Sequence, residues 1–88
     1  MRLTIFTKPG CHLCDDMKSV VYRVIARHSD AHDIAVDEVD ISADRELLDR
    51  YGLEIPVLLI DGRKVAKFRV SEQELSRMVE GRDGGTKG

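Results

Sequence analysis

The stretch Arg2-Leu3-Thr4-Ile5-Phe6-Thr7-Lys8-Pro9-Gly10-Cys11-His12-Leu13-Cys14 decides how this chain folds. Its first half alternates and is β-prone, which predicts a strand over 2–7 with Leu3 and Ile5 on one face. Lys8-Pro9-Gly10 ends that pattern, because Pro9 has no N–H for a ladder and Gly10 frees the backbone to turn. A helical period takes over. Met17, Val20, Val21, Val24 and Ile25 fall at i, i+3, i+4, i+7 and i+8 and form one apolar stripe. Asp15 and Asp16 stand in the first turn and Arg27 and His28 in the last, the charge order that suits a helix dipole.

Downstream, Ser29–Asp33 is polar and reads as a loop. Ile34, Val36, Val39 and Ile41 predict a second strand, buried in part on both sides. Ser42 is the expected N-cap of a short helix through Tyr51, ended by Gly52. Ile55-Pro56 leads into Val57-Leu58-Leu59-Ile60, an apolar run of the length of a central strand. Asp61-Gly62 signals a tight hairpin, with Arg63–Val70 returning as the partner strand. The lysines and arginines of that strand suit a sheet edge that must not pair with other chains. Ser71 and Glu74 form a capping-box pattern that opens a last helix to about Glu80. The domain is expected to span 1–80, with 81–88 as a disordered Gly-rich tail. The order is therefore β-α-β-α-β-β-α: a parallel pair from the first crossover, antiparallel strands from the hairpin, and three helices over a four-stranded mixed sheet.

The whole-chain properties narrow the function. The 88 residues suffice for one domain with a modest core. Hydrophobic residues make up 42% and charged residues 34%, the mix of an ordinary globular domain. No apolar run approaches the roughly 20 residues of a membrane helix, and the N-terminal residues lack a signal-peptide pattern, so a soluble, cytoplasmic protein is expected. A net charge of −2 argues against a nucleic-acid binder, which needs a basic surface. The expected working unit is a monomer.

Only two cysteines are present, three residues apart, and a bridge that short closes almost no loop. Chemistry explains the pair better than stability does. Cys11 falls where the strand hands over to the helix, at unpaired backbone N–H groups and the positive end of the dipole, and both favour a thiolate. Cysteines in Cys-x-x-Cys sites have pKa values lowered from about 8.5 into a range of roughly 3.5–7.5. Cys14, one turn further in, is placed to attack a mixed disulfide on Cys11. The reading is Cys11 as nucleophile and Cys14 as resolving thiol. A protonated His12 and the nearby Lys8 would stabilise the thiolate; Asp15 and Asp16 pull the other way, which leaves the sign of the net effect open.

Two other readings of the cysteines compete with this one. They could be buried, inert thiols, although such residues seldom follow Pro-Gly at a helix mouth. The spacing Cys11-x2-Cys14-x13-His28-x3-His32 also approaches a zinc-finger pattern. If residues 14–28 are helical, however, Cys14 and His28 are about 21 Å apart at 1.5 Å per residue, too far to share an ion. No metal site is expected, and His28 and His32 read as exposed polar residues.

Pro56 is the other informative position. In a Cys-x-x-Cys protein of this element order, an apolar-Pro step opening the third strand looks like a cis-proline beside the active site. A cis bond there would leave the Ile55 backbone free to pair with an extended substrate; the alternative is an ordinary trans proline at a strand start. Tyr51 and Phe68 read as core or rim aromatics rather than as ligand platforms.

With these residues in view, the sequence resembles the glutaredoxin family of the thioredoxin-fold class. Within it, the chain is similar to small glutaredoxin-like proteins that open with a Thr-Lys-Pro-Gly-Cys-x-x-Cys segment, here Thr7 to Cys14. The likeness covers essentially residues 1–80, including the Ile55-Pro56 step and the Asp61-Gly62 hairpin. It implies a thiol–disulfide oxidoreductase of α/β, thioredoxin-like architecture acting in cell redox homeostasis. By resemblance, Cys11 attacks disulfides, Cys14 resolves, and Lys8 with the Ile55-Pro56 backbone would hold glutathione.

Two departures stand out. The family's Pro-Tyr dipeptide between the cysteines is His12-Leu13 here. The Gly-Gly-x-Asp turn that grips the γ-glutamyl end of glutathione is missing, with Phe68-Arg69-Val70-Ser71-Glu72 near its place. No resident cofactor is implied, and glutathione enters only as a doubtful co-substrate. The implied partners are protein or small-molecule disulfides, with thioredoxin reductase or glutathione as electron donor. The competing classes are a low-turnover thioredoxin-fold binding module and, behind it, a zinc-binding structural module.

Overall fold

The computed structural model describes residues 1–28 and 33–84, the last four of these through their backbone alone. Its elements follow the expected order: β1 (Arg2–Thr7), α1 (His12–Arg27), β2 (Ala35–Asp40), α2 (Arg45–Tyr51), β3 (Val57–Ile60), β4 (Arg63–Lys67) and α3 (Glu72–Gly84). The sheet runs β2-β1-β3-β4. β1 pairs with β2 in parallel and with β3 antiparallel, and β3 pairs antiparallel with β4. Among the described residues no helix is long and apolar enough to cross a membrane.

Alternation along β1 and β3 divides the core between the two faces of the sheet. Leu3, Ile5, Leu58 and Ile60 face one way and meet Met17, Val21 and Val24 of α1 and Leu75 and Val79 of α3. Phe6, Val57 and Leu59 face the other way and meet Ile41, with Leu47, Leu48 and Tyr51 of α2 packed against them. Two helices thus cover one face and one covers the other. Arg23 and Arg27 of α1 both pair with Glu72 at the start of α3, joining the two helices of the first layer. The guanidiniums hold the Glu72 carboxyl below its ordinary pKa, Arg23 contributing most.

Several expectations need correcting. The second strand is an edge strand, half-buried, and it stops at Asp40. Ile41 leaves the ladder for a short 3₁₀ turn, Ile41–Ala43, whose bend carries its side chain into the α2-side core. Ser42 does not cap the helix. Its N–H and hydroxyl both donate to Asp40 Oδ1, at 2.9 and 2.6 Å, and the cap of α2 is Asp44, which accepts from Leu47 N–H at 3.0 Å. Ser and Asp are comparable N-caps, so the choice fell to whichever side chain was still free.

Gly52 closes α2, but in right-handed helical geometry rather than as a left-handed cap. Glycine is needed there for closeness: a Cβ would lie 2.4 Å from the Leu48 carbonyl oxygen. The return strand β4 ends at Lys67 rather than Val70, because the chain turns at Phe68.

At the other end, α3 runs through Gly84, so 81–84 belong to a helix that was expected to stop near Glu80. One interior glycine costs about 1 kcal/mol, too little to stop a helix already nucleated and packed. Residues 85–88 of the expected tail lie outside the described residues, as do Ser29–His32 of the expected loop.

The Asp61-Gly62 hairpin is as expected. Both residues have positive φ, 50° and 85°, which matches the right-handed twist of the flanking strands. The capping box is complete: Glu74 N–H donates to Ser71 Oγ and Ser71 N–H to Glu74 Oε1, each at 3.0 Å.

Candidate active site

β1 delivers the chain to the C-terminal end of the sheet, and Lys8-Pro9-Gly10 turns it into α1. Gly10 takes φ of 80° in that turn, and Cys11 N–H closes it on the Lys8 carbonyl at 3.3 Å. Cys11 is itself the N-cap of α1. Its Sγ accepts from Cys14 N–H at 3.1 Å, the place a Ser or Asp oxygen takes in an ordinary cap. Cys11 and Cys14 are joined as a disulfide, their Cα atoms 5.2 Å apart. Cys14 is fully buried, on the α1 face that packs into the core, whereas Cys11 is half-exposed. The helix start thus presents one sulfur to solvent and keeps the other behind it.

His12 and Lys8 are both exposed, His12 as the first residue of α1 and Lys8 in the loop before it. The Ile55–Pro56 peptide is cis. The register Phe6↔Val57 sets Pro56 beside the end of β1, where the loop to Cys11 departs. Among the described residues the Ile55 backbone makes no hydrogen bond, while the Pro56 carbonyl accepts from Phe68 N–H at 2.8 Å.

A cavity of about 280 Å³ opens on the other side of β1, between the loop (Thr7, Lys8), Asp15 and Lys18 of α1, and Glu38 and Asp40 of β2. Lys8 lines this cavity on the β2 side, whereas Ile55 and Pro56 lie on the β3 side. Only strand order could reveal that separation. Lys18, Glu38 and Asp40 were missed from sequence because nothing local marks two strand-end carboxylates as neighbours of a helical lysine. Lys18 Nζ pairs with Glu38 at 3.3 Å, and Tyr22 OH donates to the same carboxylate at 2.6 Å. The tyrosine's hydrogen bond, aided by Lys18, holds Glu38 below its ordinary pKa and raises that of Tyr22.

The zinc-finger pattern does not assemble. Cys14 lies in the first turn of α1 and His28 is its C-cap, so the helix itself holds the two apart. His32 is outside the described residues. Tyr51 is a core-side aromatic, its ring 4.9 Å from that of Phe6, and Phe68 is on the rim.

With this geometry established, comparison with known proteins is direct. The family model described as Glutaredoxin-like domain (DUF836) matches residues 2–80. The chain belongs to that glutaredoxin-like family. A glutaredoxin-like protein of Dictyostelium discoideum is 27% identical over 77 residues, which span 85% of this chain and 71% of that protein.

The solved structures agree on the fold. A structural-genomics target protein from X. campestris is 26% identical with a TM-score of 0.71, over 89% of this chain and 95% of its own. Thioredoxin 1 from Thermosipho africanus superposes over 100% of both chains with a TM-score of 0.67. At 15% identity it speaks for the fold alone. The fold is α/β and thioredoxin-like, four strands and three helices, as the sequence implied.

Proposed function

We propose that this glutaredoxin-like chain is a thiol–disulfide oxidoreductase that works through Cys11 and Cys14. The single observation that carries the reading is the capping geometry: the sulfur that caps α1 is the exposed member of a pair that closes into a disulfide. A thiolate at Cys11 would keep the Cys14 N–H as donor and gain from the helix dipole. It attacks one sulfur of a substrate disulfide and expels the other as a thiolate. The Cys14 sulfur, losing its proton, then displaces the substrate from Cys11. Two electrons pass to the substrate, and the protein is left as the Cys11–Cys14 disulfide. An external thiol donor reduces it again, either glutathione or thioredoxin reductase. Lys8 and His12 are proposed to tune the thiolate, and the free Ile55 backbone beside Pro56 to align an extended substrate.

Within this proposal glutathione is the weaker donor. Where the family grips the γ-glutamyl end, this chain begins α3 with a capping box that occupies the Ser71 and Glu74 N–H groups. A Cys-x-x-Cys pair used catalytically also suits the cytoplasm, where cysteine pairs are kept reduced.

The test is a panel assay. The protein is supplied with NADPH-driven thioredoxin reductase, or with glutathione and its reductase, and reduction of a small disulfide is followed. Turnover with the first donor well above the second is expected. A Cys11 pKa near that of a free thiol, with no turnover from either donor, would turn the reading toward a binding module that merely keeps its cysteines.

A further inference from the structure

The turn Lys67-Phe68-Arg69 leads from β4 toward α3 beside the Ile55–Pro56 step, in a conformation unusual for its middle residue. Phe68 has φ of 70°, and Arg69 N–H donates to the Lys67 carbonyl at 2.8 Å, two residues back. This is a γ-turn with positive φ, a rare and strained conformation for a residue with a side chain. Strain of that kind persists where the surroundings hold it, and it gathers at functional sites. Burial of the ring does not account for it, since Phe68 is 42% exposed. What holds the turn is its N–H, pinned at 2.8 Å to the carbonyl of Pro56, beside the site.

The carboxylates next to the turn are already engaged, Glu72 by Arg23 and Arg27 and Glu74 by the Ser71 N–H. Lys67 and Arg69 are exposed, and among the described residues neither makes an ion pair. Lys67 Nζ lies 5.6 Å from the Phe68 ring centroid. Glu54, whose carboxylate feels Lys67, is already held by Lys64 at 2.9 Å. On the opposite flank, across β1, the cavity carries three carboxylates (Asp15, Glu38 and Asp40) against two lysines. The disulfide therefore lies between a cationic, aromatic flank and a net acidic one.

We propose that Lys67-Phe68-Arg69 is the substrate-selecting edge of the site, and that it favours protein disulfides whose flanking extended segment carries an acidic residue beside an apolar one. This deepens the oxidoreductase reading and rests on it. The ring covers the apolar side chain, and the two cations pair with the acid. The acidic flank across β1 repels the same segment, so only one orientation over the Ile55 backbone is favoured. The chemistry is the exchange already described, with dithiothreitol returning the Cys11–Cys14 disulfide to the dithiol.

Two disulfide-linked peptides decide it, identical except for Asp or Lys beside a leucine next to the cysteine, with bis(2-hydroxyethyl) disulfide as a neutral reference and dithiothreitol as reductant. The Asp peptide should show a kcat/KM about tenfold higher, a preference that shrinks at high salt. The Lys67→Gln/Arg69→Gln double variant should lose the preference. Phe68→Gly should lower the ratio of peptide to neutral-disulfide rates several-fold without lowering the melting temperature, since glycine adopts positive φ freely. Equal rates on both peptides, or a preference that survives the double variant, would overturn the proposal. An unchanged ratio in Phe68→Gly would remove the ring from it. Reduction of the neutral disulfide alongside indifference to charge defeats only this proposal. Failure to reduce any of the three substrates defeats the oxidoreductase reading beneath it.

Discussion

Two helices begin at the same end of the sheet, after the parallel-running strands β1 and β4, and they close their first turns in opposite ways. At α1 the cap is a sulfur: Cys11 Sγ accepts the Cys14 N–H. At α3 the cap is a reciprocal pair of side chains, Ser71 and Glu74, each accepting from the other's N–H. Both starts have the unpaired donors and positive dipole that every helix start has. Only the first places a group there whose charged form is a nucleophile. The second spends its donors on its own chain and adds the Glu72 carboxylate, tied to Arg23 and Arg27. A helix N-terminus thus becomes chemical through the atom chosen to cap it, and the neighbouring α3 shows what the same geometry does without one.

The largest effect should come from breaking the α1 cap. In the reduced protein, iodoacetamide should label Cys11 ahead of Cys14, because Cys14 is fully buried and Cys11 is not. Cys11→Ser should abolish disulfide reduction, and Cys14→Ser should stop the reaction at a mixed disulfide that mass spectrometry can detect. Preferential labelling of Cys14 would reverse the assignment.

Next comes the ligand that α3 should refuse. Loss of hydrogen bonds to a charged group costs about 1.5–3 kcal/mol, so glutathione should bind roughly ten- to hundredfold more weakly than to a site with the full γ-glutamyl grip. Calorimetric titration measures this. Tight binding that depends on Arg69 would show that the β4–α3 turn accepts what its capping box was expected to exclude.

Breaking the α3 cap is a smaller matter. Ser71→Ala should cost about 1 kcal/mol of stability, a fall in melting temperature of roughly 4–8 °C for a domain of this size, with the rate of Cys11 labelling unchanged. The Ser71 backbone N–H is the main cause that holds the Glu74 carboxyl below its ordinary pKa. That contribution is therefore complete above the unfolded carboxylate pKa and fades as pH falls through the lower folded value. Ser71→Ala keeps that N–H, so both proteins should lose this contribution toward acid, and the gap between their thermal melts should stay nearly constant.

The smallest effect concerns the flank of α1. Tyr22→Phe removes the bond to Glu38, an exposed pair worth about 0.5 kcal/mol. Glu38 is lowered and Tyr22 raised, each chiefly by that bond. The difference between wild type and variant should therefore be largest between the two ordinary pKa values. It should disappear toward acid as Glu38 protonates, and toward alkali as pH passes the raised value of Tyr22. A constant difference across that range would place the effect in packing instead.

The site and its surroundings were not equally legible. Thr7-Lys8-Pro9-Gly10-Cys11 could be read directly, because a strand ending, a proline and a glycine act within a few residues. The capping box and the Asp61-Gly62 turn were legible for the same reason. Ser42 misled because three capping residues, Asp40, Ser42 and Asp44, stand at alternate positions, and their competition is resolved only by which hydroxyl and carboxylate meet. The Phe68 turn carried no local signal at all, since phenylalanine is a poor choice for positive φ on propensity alone.

What the sequence determined by itself was the succession of elements, the helix that starts on Cys11, and the pairing of one sulfur with the next turn, all consequences of period and turn chemistry over short spans. What tertiary structure decided was neighbourhood. The order β2-β1-β3-β4 puts Lys8 with the carboxylates of β2 and puts Phe68 with Pro56. Pairings across the sheet join residues far apart in the chain, and their placement depends on how two faces of apolar side chains are buried at once.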